Sequence, residues 1–526
     1  MFGSELSLSL RLAATIITLL IIRTFYKYFV KPYFLLRHYR KYKGGLCIYS
    51  PITGESREAK KNEIKYGDAL YDVKRRLEKN PSLRFSATPL VDTVYFMIHD
   101  VDLIKKFLNK ESLTTVKFGG LNGNMSDFMK NGLIFTEGEK WKRQRRLISQ
   151  VFHFDYMNNS LPIIRATAKE WIDNNCECSS TSPSVVNVSK ALKMYTSTVL
   201  WRIFFGEDKF TEGQNAPEIL DLIVKHIRAG RNVALSLWNF IIGPRFFRLS
   251  LRSADRQFWR ERKTIEKIFY SKFDELREKI INQKEKTQQE GASATNASSA
   301  SSPSFKNLIE LLLGQAEGLP DLEIVSQIFT FFVAGTDTTS ELLTISHYLL
   351  ATHPEVQAKL REEVITQIGK TEEIKYEHIS KMEYLNAVIK EALRFGGPVV
   401  RAIPRVATQN FTLEEIEIRK GTVISASIAG VAHNPQYFSQ PDQFRPERWI
   451  EKTDIGTIDN SIHLPFSAGS RKCIGEQLAL IESKLLLCEL VRRFSIELQT
   501  PYELKMGIGI VYYAKSPVKV IYNPMN

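Results

Sequence analysis

Apolar residues recur at helical spacing over 139–153, 190–206, 216–240, 304–316, 322–352, 355–369, 381–395 and 475–495. Residues 255–288 carry dense mixed charge with recurring Ile, Phe and Leu, the pattern of a long solvated amphipathic helix rather than a nucleic-acid face. Strand-like alternation is scarcer and short: Pro89–His99, Thr412–Ile418, Val423–Ser427, Ser495–Leu498 and Gly509–Tyr513. Dominant helices with a small β region predict a mainly α, or α+β, fold. No period of roughly 20 to 50 residues repeats, which excludes solenoids and propellers.

Two stretches depart from this pattern. From Leu6 to Ile22 the chain is apolar apart from Arg11 and a few hydroxyls, near the lower length limit for a helix that crosses a bilayer. Arg23, Lys27, Lys31, Arg37, Arg40, Lys41 and Lys43 follow, interleaved with Phe25, Tyr26 and Tyr28. The positive-inside rule then puts everything after the run in the cytosol. Neither a signal-peptide cleavage site nor the acid-free composition of a transit peptide is present, so the run reads as an uncleaved anchor. The expected organisation is a single-pass anchor over 1–30 in the endoplasmic reticulum membrane, a basic linker over 31–44 and one folded domain over 45–526. The second departure, GASATNASSASSPS at 291–304, cannot build a core and marks a flexible loop from about 286 to 304.

Composition changes this picture little. With 43% hydrophobic and 11% aromatic residues the chain can bury a large core. A net charge of +14 suits an anionic membrane or an acidic partner protein. Five cysteines without paired spacing argue for a reducing compartment rather than a disulfide framework.

The longest helical pattern runs from Asp321 to His353, where Pro354 stops it, and Ile324–Val333 is apolar on nearly every face. A buried helix of this kind is interrupted by Ala334, Gly335, Thr336, Asp337, Thr338, Thr339 and Ser340. Glycine loosens a helix and threonine competes for its carbonyls, so function is the better explanation than stability. Further on, Cys473 lies in Phe466–Gly475, directly before a helix. Unpaired N–H groups, the helix dipole, Arg471 and Lys472 all lower a thiol pKa there. Zinc would need further ligands and a cysteine hydrolase a positioned histidine. A lone thiolate between glycines suits an axial haem ligand best.

The stretch Phe466–Gly475 resembles the haem-binding loop of the cytochrome P450 superfamily, F-x-x-G-x-R-x-C-x-G, at Phe466, Gly469, Arg471, Cys473 and Gly475. Ala334–Thr339 resembles that family's distal-helix motif. Glu391 and Arg394 resemble its E-x-x-R, Pro446-Glu447-Arg448 its P-E-R block, and Trp141 with Arg145 its W-x-x-x-R. The resemblance implies haem b held by Cys473, a buried structural triad of Glu391, Arg394 and Arg448, and propionate contacts from Trp141, Arg145, Arg471 and Arg401. It implies handling of dioxygen and protons by Thr338 and Asp337. Trp449 stands where the family usually has Phe, Gly396-Gly397 replaces an apolar and proline turn, and the proline-rich hinge after the anchor is missing.

Gly507-Ile508-Gly509 has Tyr512 at the third glycine position of a dinucleotide turn, and Val364 replaces the first glycine of a phosphate loop ending at Thr371. Without a nucleotide module, electrons must come from another protein, an NADPH-cytochrome reductase or a cytochrome b-type donor. Lys142, Arg143, Arg146 and Lys472 form the expected basic face for it. Family position suggests that Phe331, Phe332, Ala334, Val399, Ile403, Ile508 and Ile510 line an apolar substrate pocket. The expected activity is monooxygenation of an apolar small molecule with O2. A haem-thiolate isomerase or dehydratase needing no outside electrons, and a non-catalytic membrane haem-binding protein, stay open as alternatives.

Overall fold

The computed structural model describes residues 2–117, 130–176, 185–206, 252–291, 307–450 and 462–525, apart from a few positions within those ranges, with scattered positions between 219 and 226. Most of the expected helix 216–240, the loop positions 292–304 and Ile510 lie outside the described residues.

The chain opens on α1 (Phe2–Phe25), which passes through a π-helical turn (Tyr26–Val30) into α2 (Lys31–Tyr39). Leu10–Tyr39 is long and apolar enough to cross a membrane. The basic linker expected over 31–44 is therefore helical as far as Tyr39. Pro32 follows directly on the π-helical turn, at the start of α2, and Leu36 and Tyr39 are buried. The Tyr39 hydroxyl lies 2.7 Å from the Thr422 hydroxyl and accepts the Arg419 N–H at 3.1 Å, while the His38 ring meets the Glu417 carbonyl at 2.8 Å. Burial of two aliphatic or aromatic side chains outweighs the cost of ordering a charged segment.

A six-stranded sheet receives α2. Its strands are β1 (Gly45–Cys47), β2 (Phe85–Leu90), β3 (Thr93–Ile98), β4 (Thr115–Lys117), β5 (Arg405–Ala407) and β6 (Val423–Ala426), in the order β1-β2-β3-β6-β5-β4. The segment read as one strand over Pro89–His99 is the end of β2, a turn and β3, with Ala87 opposite Phe96. β5 pairs antiparallel with both β6 and β4, setting Arg405 opposite Ile424 on one side and Lys117 on the other.

The larger part is helical: α3 (Gly138–Ser149), α4 (Val188–Phe205), α5 (Ser253–Gly291), α6 (Asp321–Thr352), α7 (Glu383–Gly396) and α8 (Glu476–Arg493). α5 continues past residue 286, where a loop was expected to begin. α6 is buried along most of its length and stays helical through its glycine and threonines. Gly335 serves packing: a Cβ there would lie 2.9 Å from Leu200, so its absence lets α4 approach. The Thr196 hydroxyl of α4 donates to the Thr336 carbonyl at 3.2 Å, tying the two helices together.

Candidate haem-thiolate site

The loop before α8 is folded by its own backbone. The Cys473 N–H donates to the Phe466 carbonyl at 3.0 Å and the Ser467 N–H to Leu464 at 3.0 Å. Gly469 has φ +73°, and a Cβ there would sit 2.6 Å from the Leu108 carbonyl oxygen, so only glycine fits. Phe466 and Ile474 pack on the same core cluster as Phe331, Phe332 and Val333. Cys473 itself is exposed, and a Cβ at Gly475 would meet nothing within 4 Å, so this side of the loop is open. The Cys473 thiol pKa is not lowered as its helix-terminal position led us to expect. Burial pushes it up, and this outweighs the Gly475 N–H and the charges of Arg145 and Lys472, which pull it down.

In the middle of α6, Ala334, Gly335, Asp337 and Thr338 keep solvent-accessible surface while their neighbours are buried, so one face borders a hollow. The Thr338 hydroxyl donates to the Ala334 carbonyl at 2.7 Å. Asp337 Oδ1 lies 3.3 Å from the Lys193 ammonium of α4, which is also 4.0 Å from Glu341. Of the expected pocket residues, Val399 and Ile403 are exposed and Ile508 is half-buried. Phe332 is fully buried against Trp201 and Phe269, so it builds the core rather than a pocket wall.

A second set of charges collects around Glu137. Its carboxylate pairs with Arg405 at 3.2 Å and with Arg471, and accepts the Lys117 N–H at 2.9 Å. The Arg471 guanidinium lies 3.7 Å from the centre of the Trp141 ring. Arg405 also donates to the Thr115 hydroxyl at 2.7 Å and carbonyl at 2.9 Å. Arg145 is half-buried, close enough to Cys473 for their charges to interact. Arg401 is not in this group: it is exposed and has no hydrogen bond or ion pair among the described residues. Arg405, four residues further on, is the arginine of this segment that pairs with Glu137.

These residues fit a haem. A soft thiol faces open space, a hollow lies along α6, and Trp141, Arg471, Arg405 and Arg145 offer donors for two carboxylates.

Glu391 of α7 accepts five hydrogen bonds while fully buried: two from Arg394 at 2.9 Å, one from Arg448 at 2.9 Å, one from the Trp449 indole at 2.9 Å and one from the Arg445 N–H at 3.0 Å. Burial pushes its carboxyl up, and the bonds and charges of the two arginines more than offset this, holding it below the usual range. The remaining guanidinium donors reach the carbonyls of Ala432, Pro441 and Gln443 from Arg394, and of Ser439 from Arg448. The segment leading toward the cysteine loop is thereby fastened to α7.

The basic face is less open than its sequence suggests. Lys142 pairs with Glu139 at 2.7 Å, Arg143 with Glu323 at 2.9 Å and Lys472 with Glu476 at 2.6 Å.

A thiol loop before a helix, a hollow along a long buried helix and a Glu-Arg-Arg triad define a haem-thiolate protein, and sequence comparison agrees. The family profile for Cytochrome P450 matches residues 64–515, so this chain belongs to the cytochrome P450 family. It is a haem-dependent monooxygenase at the level of that family. Its relatives include Cytochrome P450 3A6 of Oryctolagus cuniculus, 31% identical over 433 residues that cover 80% of this chain and 81% of the relative. Cytochrome P450 3A31 of Mesocricetus auratus is 29% identical over 442 residues, 80% and 81% of the two chains. Cytochrome P450 3A7 of Homo sapiens is 29% identical over 430 residues, 78% and 79%.

Proposed function

We propose that Cys473 is the axial ligand of haem b, and that the enzyme oxygenates an organic substrate with a largely apolar body, drawing electrons from a separate reductase or cytochrome b-type donor. The observation that carries this is Cys473 itself, an exposed thiol in the glycine-flanked loop that leads into α8. When bound, the haem supplies oxygen activation and the thiolate pushes electron density toward O–O cleavage. The chain supplies the rest. Thr338 and Asp337 border the hollow and are the groups positioned to hold a water chain and move protons, with Lys193 at 3.3 Å orienting the Asp337 side chain. Trp141, Arg145, Arg405 and Arg471 hold the cofactor's carboxylates. Lys142, Arg146 and Lys472 keep exposed side chains that offer a donor protein its docking charges, Lys142 and Lys472 from within surface ion pairs with Glu139 and Glu476, whereas Arg143 is engaged by the buried Glu323. The anchor reading supports a single-pass endoplasmic reticulum protein with a cytosolic enzyme domain.

The test uses the full-length chain with reductase and NADPH. The reduced carbon monoxide complex shows the strongly red-shifted Soret band of a thiolate haem, and Cys473→His abolishes it while leaving the chain folded. Thr338→Ala keeps the spectrum but consumes NADPH without matching product. An unchanged band in Cys473→His overturns the ligand assignment, and unchanged coupling in Thr338→Ala makes that hydroxyl structural.

A further inference from the structure

The crossing of α4 and α6 puts one ammonium group between two carboxylates. Gly335 lets the helices approach at Leu200, and the Thr196 hydroxyl ties α4 to the Thr336 carbonyl, so the two backbones are fixed where they cross. Lys193 lies one turn before Thr196 on α4 and meets Asp337 and Glu341, which are one turn apart on α6. Its ammonium is 3.3 Å from Asp337 Oδ1 and 4.0 Å from Glu341 Oε1. Neither contact is as short as a charge-assisted hydrogen bond, about 2.7–2.9 Å. Asp337 Oδ1 is buried and makes no hydrogen bond among the described residues. Glu341 Oε2 accepts the Ala514 N–H at 3.4 Å from the C-terminal strand Tyr512–Ala514.

Exposure falls along the trio. The side chains of Lys193, Asp337 and Glu341 are 22%, 13% and 4% exposed, so Lys193 meets solvent and Glu341 lies deepest. The nearby Tyr502 brings no counter-charge, because burial, then the charges of Tyr348 and Glu341, push its pKa up to about 12. Two carboxylates and one ammonium leave a negative charge unmatched. In so enclosed a place that charge is costly, and the acid that Lys193 leaves takes up a proton more readily than an acid in water does. A lysine stem is flexible, and a small swing reverses which acid is nearer.

We propose that Glu341 is a positioning residue for proton delivery: it competes with Asp337 for the Lys193 ammonium and thereby releases Asp337 to carry protons. This rests on the proton-handling role of Asp337 given above and adds the group that controls it. With Lys193 at Asp337, as in the structure, that acid is held as a carboxylate. With Lys193 at Glu341, Asp337 takes a proton from solvent, an O–H bond forming on its carboxylate as one breaks in hydronium. Asp337 gives that proton up on the Thr338 side of α6 and returns to carboxylate, so the trio is unchanged after each transfer.

The experiment uses full-length holoenzyme with reductase and NADPH, without added substrate. It reads how the electrons divide between released peroxide and water, in ordinary and in heavy water. Glu341→Gln leaves Lys193 on Asp337 and lowers the share of electrons that ends in water about twofold, and further in heavy water. Adding Lys193→Gln to that variant brings the share back toward the wild-type value, because nothing then pins Asp337, and Glu341→Asp keeps part of it. The proposal is overturned if Glu341→Gln leaves the share unchanged, or if the double variant recovers nothing, as damage to packing would predict. If Glu341→Gln loses haem, Lys193→Arg takes its place: a planar fork spans both acids, holds Asp337 and gives the same fall, and an unchanged share overturns the proposal. Urea midpoints read the competition without turnover. The coupling between Lys193 and Asp337, from Lys193→Gln, Asp337→Asn and their double variant, grows in the Glu341→Gln background, and an unchanged coupling overturns the proposal. Failure of the Asp337 assignment shows separately, as a wild-type water share in Asp337→Asn, and the urea cycle then still reads the competition.

Discussion

Glu391 and Glu137 each stand between two guanidinium groups with a tryptophan alongside, yet their surroundings differ. Glu391, Arg394 and Arg448 have essentially no exposed side-chain surface, and the Trp449 indole donates to the carboxylate as a further bond. Glu137 keeps 26% of its side chain exposed between Arg405 and Arg471, and Trp141 stacks on Arg471 instead of bonding the acid. A buried cluster with every donor matched has no alternative partner, so it can only specify the fold. An open cluster can exchange its anion. Carboxylates of a cofactor arriving beside Arg405 and Arg471 would compete with Glu137, at small cost because water replaces what Glu137 loses.

The largest expected effect follows from breaking the closed member. Glu391→Ala leaves two guanidinium groups buried without a counter-charge, a loss of about 3–5 kcal/mol. Folded yield and the urea unfolding midpoint should both collapse. Glu137→Gln keeps an acceptor oxygen for the two arginines and should cost less, about 1–3 kcal/mol, and leave haem content unchanged. Equal damage from the two variants would erase the distinction.

Acid should expose the same difference. His463 is half-buried with its ring 4.7 Å from Trp449, and its pKa is pushed down to about 3, first by desolvation and then by the charge of Lys390. An unfolded histidine titrates near pH ~6.5, so the unfolded chain binds a proton there that the native one refuses. The stability contribution is complete above about pH 6.5 and declines as pH falls from there toward 3. Glu391, held below the usual carboxylate range, adds a loss that begins only below about pH 4.3. Urea midpoints should therefore fall between about pH 7 and pH 5. His463→Phe should remove its share of that fall and leave the steeper loss at lower pH in place.

The open cluster is next in size. Arg405→Ala should weaken haem retention about tenfold, read as transfer to an excess of haem-free myoglobin, whereas Arg401→Ala should leave retention unchanged. The reverse ranking would restore Arg401 to the cofactor.

The two clusters also differ in how far they could be read from the chain. Glu391 and Arg394 are one helical turn apart, and Arg448 belongs to a contiguous block, so local spacing carries the triad. Cys473 is legible for the same reason, because its loop is a single short segment. The Glu137 cluster draws on four separate segments, and only tertiary pairing of β4 with β5 brings Arg405 to it. Pro404 lies between the two candidate arginines, and their order along the chain does not say which faces inward. The helical linker was hidden because five lysines and arginines dominate its composition, while Leu36 and Tyr39, which dock it, read as incidental. Fold class needed only periodicity; the neutralised basic face needed partners such as Glu323, far away in sequence from Arg143.

The smallest effect tests what closes the triad. Trp449→Phe keeps an aromatic ring against Phe438, 5.8 Å away, and beneath the Lys390 ammonium at 5.6 Å, and deletes one N–H. Glu391 Oε2 loses that 2.9 Å bond but keeps the one from Arg394 Nε, so no oxygen is left bare. The expected cost is about 1 kcal/mol, because one hydrogen bond is lost without orphaning its acceptor. Thermal unfolding should shift by a few degrees, with haem content and the carbon monoxide spectrum unchanged. A collapse approaching that of Glu391→Ala would mean that the indole, rather than the paired guanidinium groups, seals the carboxylate from water. No shift at all would mean that Arg394, Arg448 and the Arg445 N–H already saturate it, and that the closed cluster is closed by charge alone.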